Sequence, residues 1–276
     1  MPPRKVRKLD PVYYRMMTTV TEDEEVLFNA IELEDLKHEA KRKAAYQWKG
    51  TIRPSDLDWD MCPAAYPNLR KSYNKSSTEQ EKTMMGGRVL HLTYLSKAKS
   101  HPDILWPEKP SYPPELQAFG EKALKRAEEV WPSFYIGCPE FGLNGEVDLM
   151  ISVADKPVIV DFKFPQEKDT EQWQVLKRML PTTKTTAQLC CYAHIVNKYK
   201  LFSKDVETVG AAHRNPYIDP KDYPIKEVYM PFTEVEDERI VNLLKHLRHH
   251  CNLFMSGDAP EPCEYEFCKE HGKQDG

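Results

Sequence analysis

Apolar side chains recur at every second position in the middle of the chain, at Val147, Leu149 and Ile151. This period is typical of a β-strand with one buried face. A second run, residues 157–160, is rich in β-branched side chains, as in a central strand. Residues 154–157 between the two runs have the composition of a turn. The pattern therefore predicts a β-hairpin.

The spacing of apolar residues predicts the remaining elements, with helical spacing for the helices and short apolar runs for the strands. Predicted helices cover residues 22–46, 84–97, 115–130, 185–199 and 234–254. Predicted strands fall within residues 133–164, 207–211 and 226–231. A small mixed sheet flanked by helices makes α/β the predicted fold class, with helical additions at both ends. We expect residues 1–50 to form a basic arm and a helix, and residues 51–270 to form one domain.

Composition narrows the function classes. The chain has 276 residues, of which 40% are hydrophobic, and a formal net charge of −4. No apolar run approaches the roughly 18 residues that span a bilayer, so no membrane partner is expected. The net charge argues against a general nucleic-acid binder, although a nuclease can concentrate positive charge in a groove. Seven cysteines without a signal peptide indicate the cytoplasm, or a host cytoplasm for a viral protein.

Two carboxylates and an amine lie at the ends of the predicted hairpin strands. Asp161 and Lys163 are two positions apart and so share one face, and closure at residues 154–157 places Asp148 opposite Asp161. Paired carboxylates suit Mg²⁺ or Mn²⁺, and an adjacent ammonium can offset phosphate charge. The alternative is a surface hairpin with a salt-bridged Asp-x-Lys.

Two helical segments carry further candidates. Gln188 and Tyr192 are four positions apart on the predicted helix 185–199 and share one face. His91 lies on the predicted helix 84–97, where it could bind a metal or a phosphate. Taken singly, a histidine on an apolar helix is more often a core residue, and Gln188 with Tyr192 is more often ordinary surface chemistry.

In their order along the chain, which is His, then Asp, then Asp-x-Lys, then Gln-x-x-x-Tyr, these motifs resemble the RecB-like branch of the PD-(D/E)XK nuclease superfamily. That branch includes CRISPR-adaptation nucleases and phage and genome-maintenance exonucleases. The resemblance covers roughly residues 55–268 and implies a restriction-endonuclease-like core. It implies metal binding by His91, Asp148 and Asp161, catalysis by Asp148, Asp161 and Lys163, and a DNA-lining or supporting role for Gln188 and Tyr192.

The implied activity is hydrolysis of DNA by an Mg²⁺- or Mn²⁺-dependent exonuclease in replication, recombination or repair. The alternatives are a catalytically silent DNA-binding protein on the same fold and an iron–sulfur or zinc structural protein that binds nucleic acid. The polarity of digestion, exonuclease against endonuclease action, single- against double-strand preference, DNA against RNA and oligomeric state stay open.

The chain departs from the family pattern between Lys163 and Gln188. These residues are 25 positions apart, farther than we expect for the family. Residues 165–184 are therefore predicted to form an insertion near the site, either a substrate-guiding loop or decoration.

The cysteines raise a separate question, because some RecB-like nucleases hold a [4Fe–4S] cluster. Thiolates can ligate such a cluster or Zn²⁺. The candidate ligands are Cys62, Cys251, Cys263 and Cys268. The C-terminal spacing lacks a close Cys-x-x-Cys pair, so we favour the alternative that these are small buried apolar residues.

Overall fold

The computed structural model describes residues 48–72, 134–165, 167–215, 217–219, 222, 225–259 and 261–265. The strands in these ranges are β1 (Phe134–Cys138), β2 (Leu143–Val147), β3 (Leu149–Val153), β4 (Lys156–Lys163), β5 (Thr208–Arg214) and β6 (Ile225–Pro231). The helices are α1 (Tyr66–Ser72), α2 (Thr170–Met179), α3 (Thr183–Lys198) and α4 (Glu234–Ser256). The predicted helices 22–46, 84–97 and 115–130 lie outside the described residues.

Strand pairing confirms a mixed sheet in an α/β fold. The sheet has the order β3-β4-β5-β6, and β1 pairs with β2 in a separate two-stranded ribbon. β4 runs antiparallel to β3 and parallel to β5, and β5 runs antiparallel to β6. β4 is thus an inner strand, as its β-branched run predicts, and its residues from Val158 to Phe162 are buried.

A two-residue turn closes the hairpin between β3 and β4. Ala154 and Asp155 have φ values of 50° and 62°. Positive φ at both central positions matches the twist of the flanking strands. The turn pairs Val153 with Lys156 and, at the other end of the hairpin, Leu149 with Val160. The predicted hairpin is therefore confirmed.

The polypeptide crosses over between β4 and β5 through α2 and α3, because parallel neighbours cannot be joined by a tight turn. Thr182 caps the start of α3, because its side chain accepts a hydrogen bond from the Thr185 backbone N–H at 3.2 Å. Residues 187–196 of α3 are buried, since the helix packs against β4, β5 and α4. This packing places α3 over one face of the sheet.

α4 packs against α3 through an apolar stripe. The Thr233 backbone N–H donates to the Glu236 carboxylate at 3.0 Å at its start, and Gly257 ends it at a φ of 78°. The buried residues are Ile240, Leu243, Leu244, Leu247, His250 and Cys251. Within the described ranges, no helix has the length and apolar content needed to cross a membrane.

The structure corrects one local prediction, the half-buried strand through Asp148. β2 ends at Val147 and β3 begins at Leu149, so Asp148 interrupts the strand. Met150 packs in the core beneath α3 and α4, yet Leu149 and Ile151, which point the other way, are also fully buried. The alternation of apolar and polar residues predicted one exposed face, and this was wrong because both faces of the hairpin are covered.

Candidate functional site

The hairpin register brings Asp148 and Asp161 to the same end of the sheet. Leu149 pairs with Val160, and continuing that register by one residue sets Asp148 opposite Asp161. One oxygen of Asp148, Oδ2, accepts a hydrogen bond from the Phe162 backbone N–H at 2.8 Å. Asp148 and Asp161 are 6% and 1% exposed, respectively, so the fold buries two carboxylates side by side.

Lys163 neutralises part of this charge. It lies two positions beyond Asp161 on β4, and its Nζ is 2.7 Å from Asp161 Oδ2. The Lys163 side chain is 32% exposed, against 2% for that of Asp161. The Lys163 side chain is therefore the more exposed member of the pair.

Gln188 and Tyr192 complete the network from one face of α3, as their four-residue spacing predicts. Lys163 Nζ donates to the amide oxygen of Gln188 at 2.8 Å. The amide nitrogen of Gln188 donates to Asp161 Oδ1 at 3.0 Å and to the Tyr192 hydroxyl at 2.9 Å. The amide oxygen thus faces a donor and the amide nitrogen faces two acceptors, and these bonds fix the positions of all four side chains.

The electrostatics keep Lys163 cationic and Tyr192 neutral. Burial lowers the pKa of Lys163, but the charges of Asp161 and Asp148 outweigh it, so the pKa is raised overall. Burial, followed by the same two carboxylates, raises the pKa of Tyr192 well above its usual value. At neutral pH Lys163 therefore acts as a fixed positive charge and not as a general base.

The donor set fits a hard divalent cation. Carboxylate oxygens are the ligands that Mg²⁺ and Mn²⁺ prefer. Two carboxylates outnumber the single ammonium of Lys163, which leaves an excess of negative charge when all three are ionised. Within the described ranges, no three His, Cys, Asp or Glu side chains are gathered as a metal site. His91, the predicted third ligand, lies outside those ranges.

Gly145 on β2 lets Pro54 pack closely against this strand beside the site, a feature that sequence reasoning missed. A Cβ atom there would lie 2.8 Å from Pro54 Cγ and 3.4 Å from the Tyr192 ring. Glycine within a strand signals close approach of another group, so a local signal was available. The absence of a side chain therefore lets Pro54 pack against β2 next to the Tyr192 ring.

His213 is a second residue that sequence reasoning missed. It pairs with Lys163 across β4 and β5 and is 1% exposed. Burial lowers its pKa to about 4; the backbone of Lys226 opposes this shift, and the charges of Lys163 and Lys226 add to it. Neither ring nitrogen makes a hydrogen bond of normal geometry. The imidazole next to Lys163 is therefore neutral at pH 7.

The predicted insertion, residues 165–184, contains α2. Trp173 is fully buried with Leu180 and Ile218 in a small cluster separate from the main core. Two hydrogen bonds also join this segment to the loop between β5 and β6. The Asn215 side chain donates to the Glu167 carbonyl at 2.6 Å, and Gln174 donates to the Asp222 carbonyl at 3.2 Å. These contacts fix α2 beside the end of the sheet that carries Lys163.

The predicted cysteine ligands are described in part. Cys62 and Cys251 are buried in the main core, and Cys263 packs against it. Burial raises the pKa of Cys251 to about 12, which keeps its thiol protonated at neutral pH. Cys268 lies outside the described residues, so the four-cysteine set stays a prediction.

Comparisons with known proteins include a likeness to a solved structure. No protein-family model matches the chain, and no curated protein sequence matches it. The fold is similar to the crystal structure of SSO0001, with 15% sequence identity and a TM-score of 0.43. The match covers 86% of this chain and 94% of that one. The functional conclusion therefore depends on the geometry of the site.

Proposed function

We propose that this chain is a deoxyribonuclease that depends on Mg²⁺ or Mn²⁺, of the PD-(D/E)XK type, and that it acts as an exonuclease. The observation that supports this most is the closed network of Asp161, Lys163 and Gln188, with Asp148 directly opposite. It combines paired hard-oxygen donors with an ammonium on a partly exposed side chain. A phosphodiester and a divalent cation require that combination at one point.

Asp148 and Asp161 would hold the cation. Asp148 is oriented by the Phe162 backbone N–H, and Asp161 by Lys163 and Gln188. When bound, the ion would polarise the scissile phosphate and lower the pKa of a water molecule. Burial of both carboxylates holds the oxygen donors in place before any substrate arrives.

Lys163 stabilises charge at the phosphate. Its ammonium has three N–H donors, of which Asp161 and Gln188 engage two. The third can donate to a phosphate oxygen as negative charge accumulates there, a contribution that is strongest in a partly buried site. Lys163 also orients the attacking water through the same charge.

Gln188 and Tyr192 support this arrangement. The Gln188 amide sets the direction of the Lys163 ammonium and of the Asp161 carboxylate at the same time. Tyr192 accepts from Gln188 and keeps its own hydroxyl proton, because its pKa is raised. These residues are positioning groups in the proposed reaction.

The test is digestion of end-labelled single- and double-stranded DNA, linear and circular, with Mg²⁺, Mn²⁺ or EDTA. We expect linear DNA to be cut only with metal, circles to stay intact, and Lys163→Gln and Asp161→Asn to lower the rate by about 100-fold or more. Lys200 and Asp205 form an exposed ion pair, also at 2.7 Å, so Lys200→Gln and Asp205→Asn are matched controls.

Three outcomes would each contradict a part of the proposal. Wild-type protein that cuts no substrate with either metal would remove the nuclease assignment. Full activity of Lys163→Gln would remove the assigned mechanism. Cleavage of circles would retain a nuclease but exclude a pure exonuclease.

A further inference from the structure

Basic side chains continue from the site across the sheet. Lys163 on β4 pairs with His213 on β5, and His213 pairs with Lys226 on β6. Paired residues on neighbouring strands project from the same face of a sheet. Strands lie about 4.8 Å apart, so the Cα atom of Lys226 is about 10 Å from that of Lys163. The three side chains therefore form a row at one end of the sheet.

α2 extends this row with a fourth basic group. Lys177 is three positions after Gln174, so the two side chains share one face of α2, and Gln174 donates to the Asp222 carbonyl just before β6. Lys177 therefore lies towards the start of β6, where the charge of Lys226 adds to burial in lowering its pKa. The cluster of Trp173, Leu180 and Ile218 and the bond from Gln174 to the Asp222 carbonyl hold α2 in this place. The fold thus keeps two like charges together.

His213 lies between the two lysines of the sheet without adding charge, since it is neutral at pH 7. A third cation in a buried position there would repel both Lys163 and Lys226. The chain as a whole carries a formal charge of −4. A local row of positive groups next to paired carboxylates therefore contrasts with the overall charge, and such a row attracts the negative charge of phosphate groups.

We propose that Lys163, Lys226 and Lys177 form a strip that binds the phosphodiester backbone of a nucleic-acid strand and leads it from Asp161 towards α2. This inference rests on the proposed nuclease function and deepens it, because it assigns the path of the strand and a role to the insertion. Lys163 contacts the scissile phosphate, and Lys226 and Lys177 contact the phosphates that follow. Lys226 and Lys177 are binding residues and take no part in bond cleavage.

The test is fluorescence anisotropy with short labelled single-stranded and duplex DNA in EDTA, over a series of salt concentrations. The variants are Lys226→Gln, Lys177→Gln and the double variant, which keep side-chain length but remove charge. Lys200→Gln with Lys204→Gln is the control, since both lysines are exposed and Lys204 contacts the Asp155 carbonyl at the opposite end of the hairpin. Lys226→Arg, which keeps the charge, is a second control.

We expect the double variant to bind about tenfold or more weakly, and the slope of log K against log salt to fall by about 0.7 per lost contact for single strands and about 0.9 for duplex. In cleavage assays the double variant should raise KM and leave kcat nearly unchanged. The control double variant and Lys226→Arg should bind like wild type, and circular dichroism melting should show all of them folded.

The outcomes separate the two proposals. The strip alone is overturned if wild type cleaves DNA but the double variant and the control double variant bind it with equal affinity and equal salt slope. Salt-dependent binding that the double variant loses, without cleavage by wild type, overturns the nuclease and supports the strip as a nucleic-acid surface. Wild-type protein that binds no DNA overturns the strip.

Discussion

The Gln188 side chain holds Lys163 in place, with a hydrogen bond of 2.8 Å from the ammonium to the amide oxygen. The other end of the same amide donates to Asp161 at 3.0 Å. One side chain from α3 therefore joins a cation and an anion that both belong to β4. This arrangement depends on the packing of α3 over the sheet, and it makes the site a part of the core.

Replacing Gln188 with methionine should destabilise the fold. Gln188→Met keeps the volume but removes the partner of Asp161 Oδ1, of Lys163 and of the Tyr192 hydroxyl. Buried polar groups left without partners cost about 1–3 kcal/mol, and we expect a loss of that size in urea unfolding. Gln172→Met on the exposed side of α2 is the control. Equal stability of the two variants would show that the amide network is not a source of stability.

Adding a methyl group at Gly145 should destabilise the packing of β2 against Pro54. The new Cβ of Gly145→Ala would lie 2.8 Å from Pro54 Cγ, closer than atoms in contact tolerate. We expect a loss of about 1–3 kcal/mol in chemical unfolding. A double-mutant cycle with Pro54→Ala isolates the clash, because removing the proline ring should restore part of the loss. An additive cycle would contradict the assigned contact.

His213 should make the protein sensitive to acid. Its pKa in the folded protein, about 4, lies below the usual 6.5, so protons bind preferentially to the unfolded chain. The stabilising contribution is present above pH 6.5 and is lost as the pH falls towards 4. Between pH 7 and pH 5 we expect a loss of about 2 kcal/mol from this residue.

Urea unfolding at the two pH values measures this loss. His213→Gln should reduce the difference in unfolding free energy between pH 7 and pH 5. Gln172→Met, which removes no titratable group, should leave the difference near that of wild type. If wild type and His213→Gln lost equal free energy of unfolding between pH 7 and pH 5, His213 would be protonated equally readily in the folded and the unfolded protein.

Trp173 should control whether α2 stays in place. Its ring is buried with Leu180 and Ile218 in a cluster apart from the main core. Trp173→Ala should lower the stability of that cluster by about 3–5 kcal/mol, which is more than so small a cluster can lose and stay packed. We expect new protease cleavage within residues 165–184, while hydrogen exchange in β4 and β5 stays slow. Val175→Ala, at a position that is 59% exposed on the same helix, is the control. Equal loss of protection in β4 would place α2 in the same cooperative unit as the sheet.

The sequence by itself determined the local geometry of the site. A period of two placed Asp161 and Lys163 on one side of β4, and the turn before Lys156 set Asp148 opposite Asp161. A period of 3.6 placed Gln188 and Tyr192 on one face of α3. These relationships join residues within one strand, one hairpin or one helix, where the backbone repeat alone decides the direction of each side chain.

Tertiary structure decided the relationships between distant segments. Pairing of β4 with β5 brought His213 beside Lys163 across 50 positions of the chain, and no local pattern marks which strand becomes a parallel neighbour. The place of α2 depends on the contact of Trp173 with Ile218. In β3, Leu149 and Ile151 are buried on a second covered face, so buried and exposed side chains do not alternate as the sequence predicts. Side-chain periodicity is a property of the local backbone, whereas strand partners and covered faces follow from the packing of the whole chain.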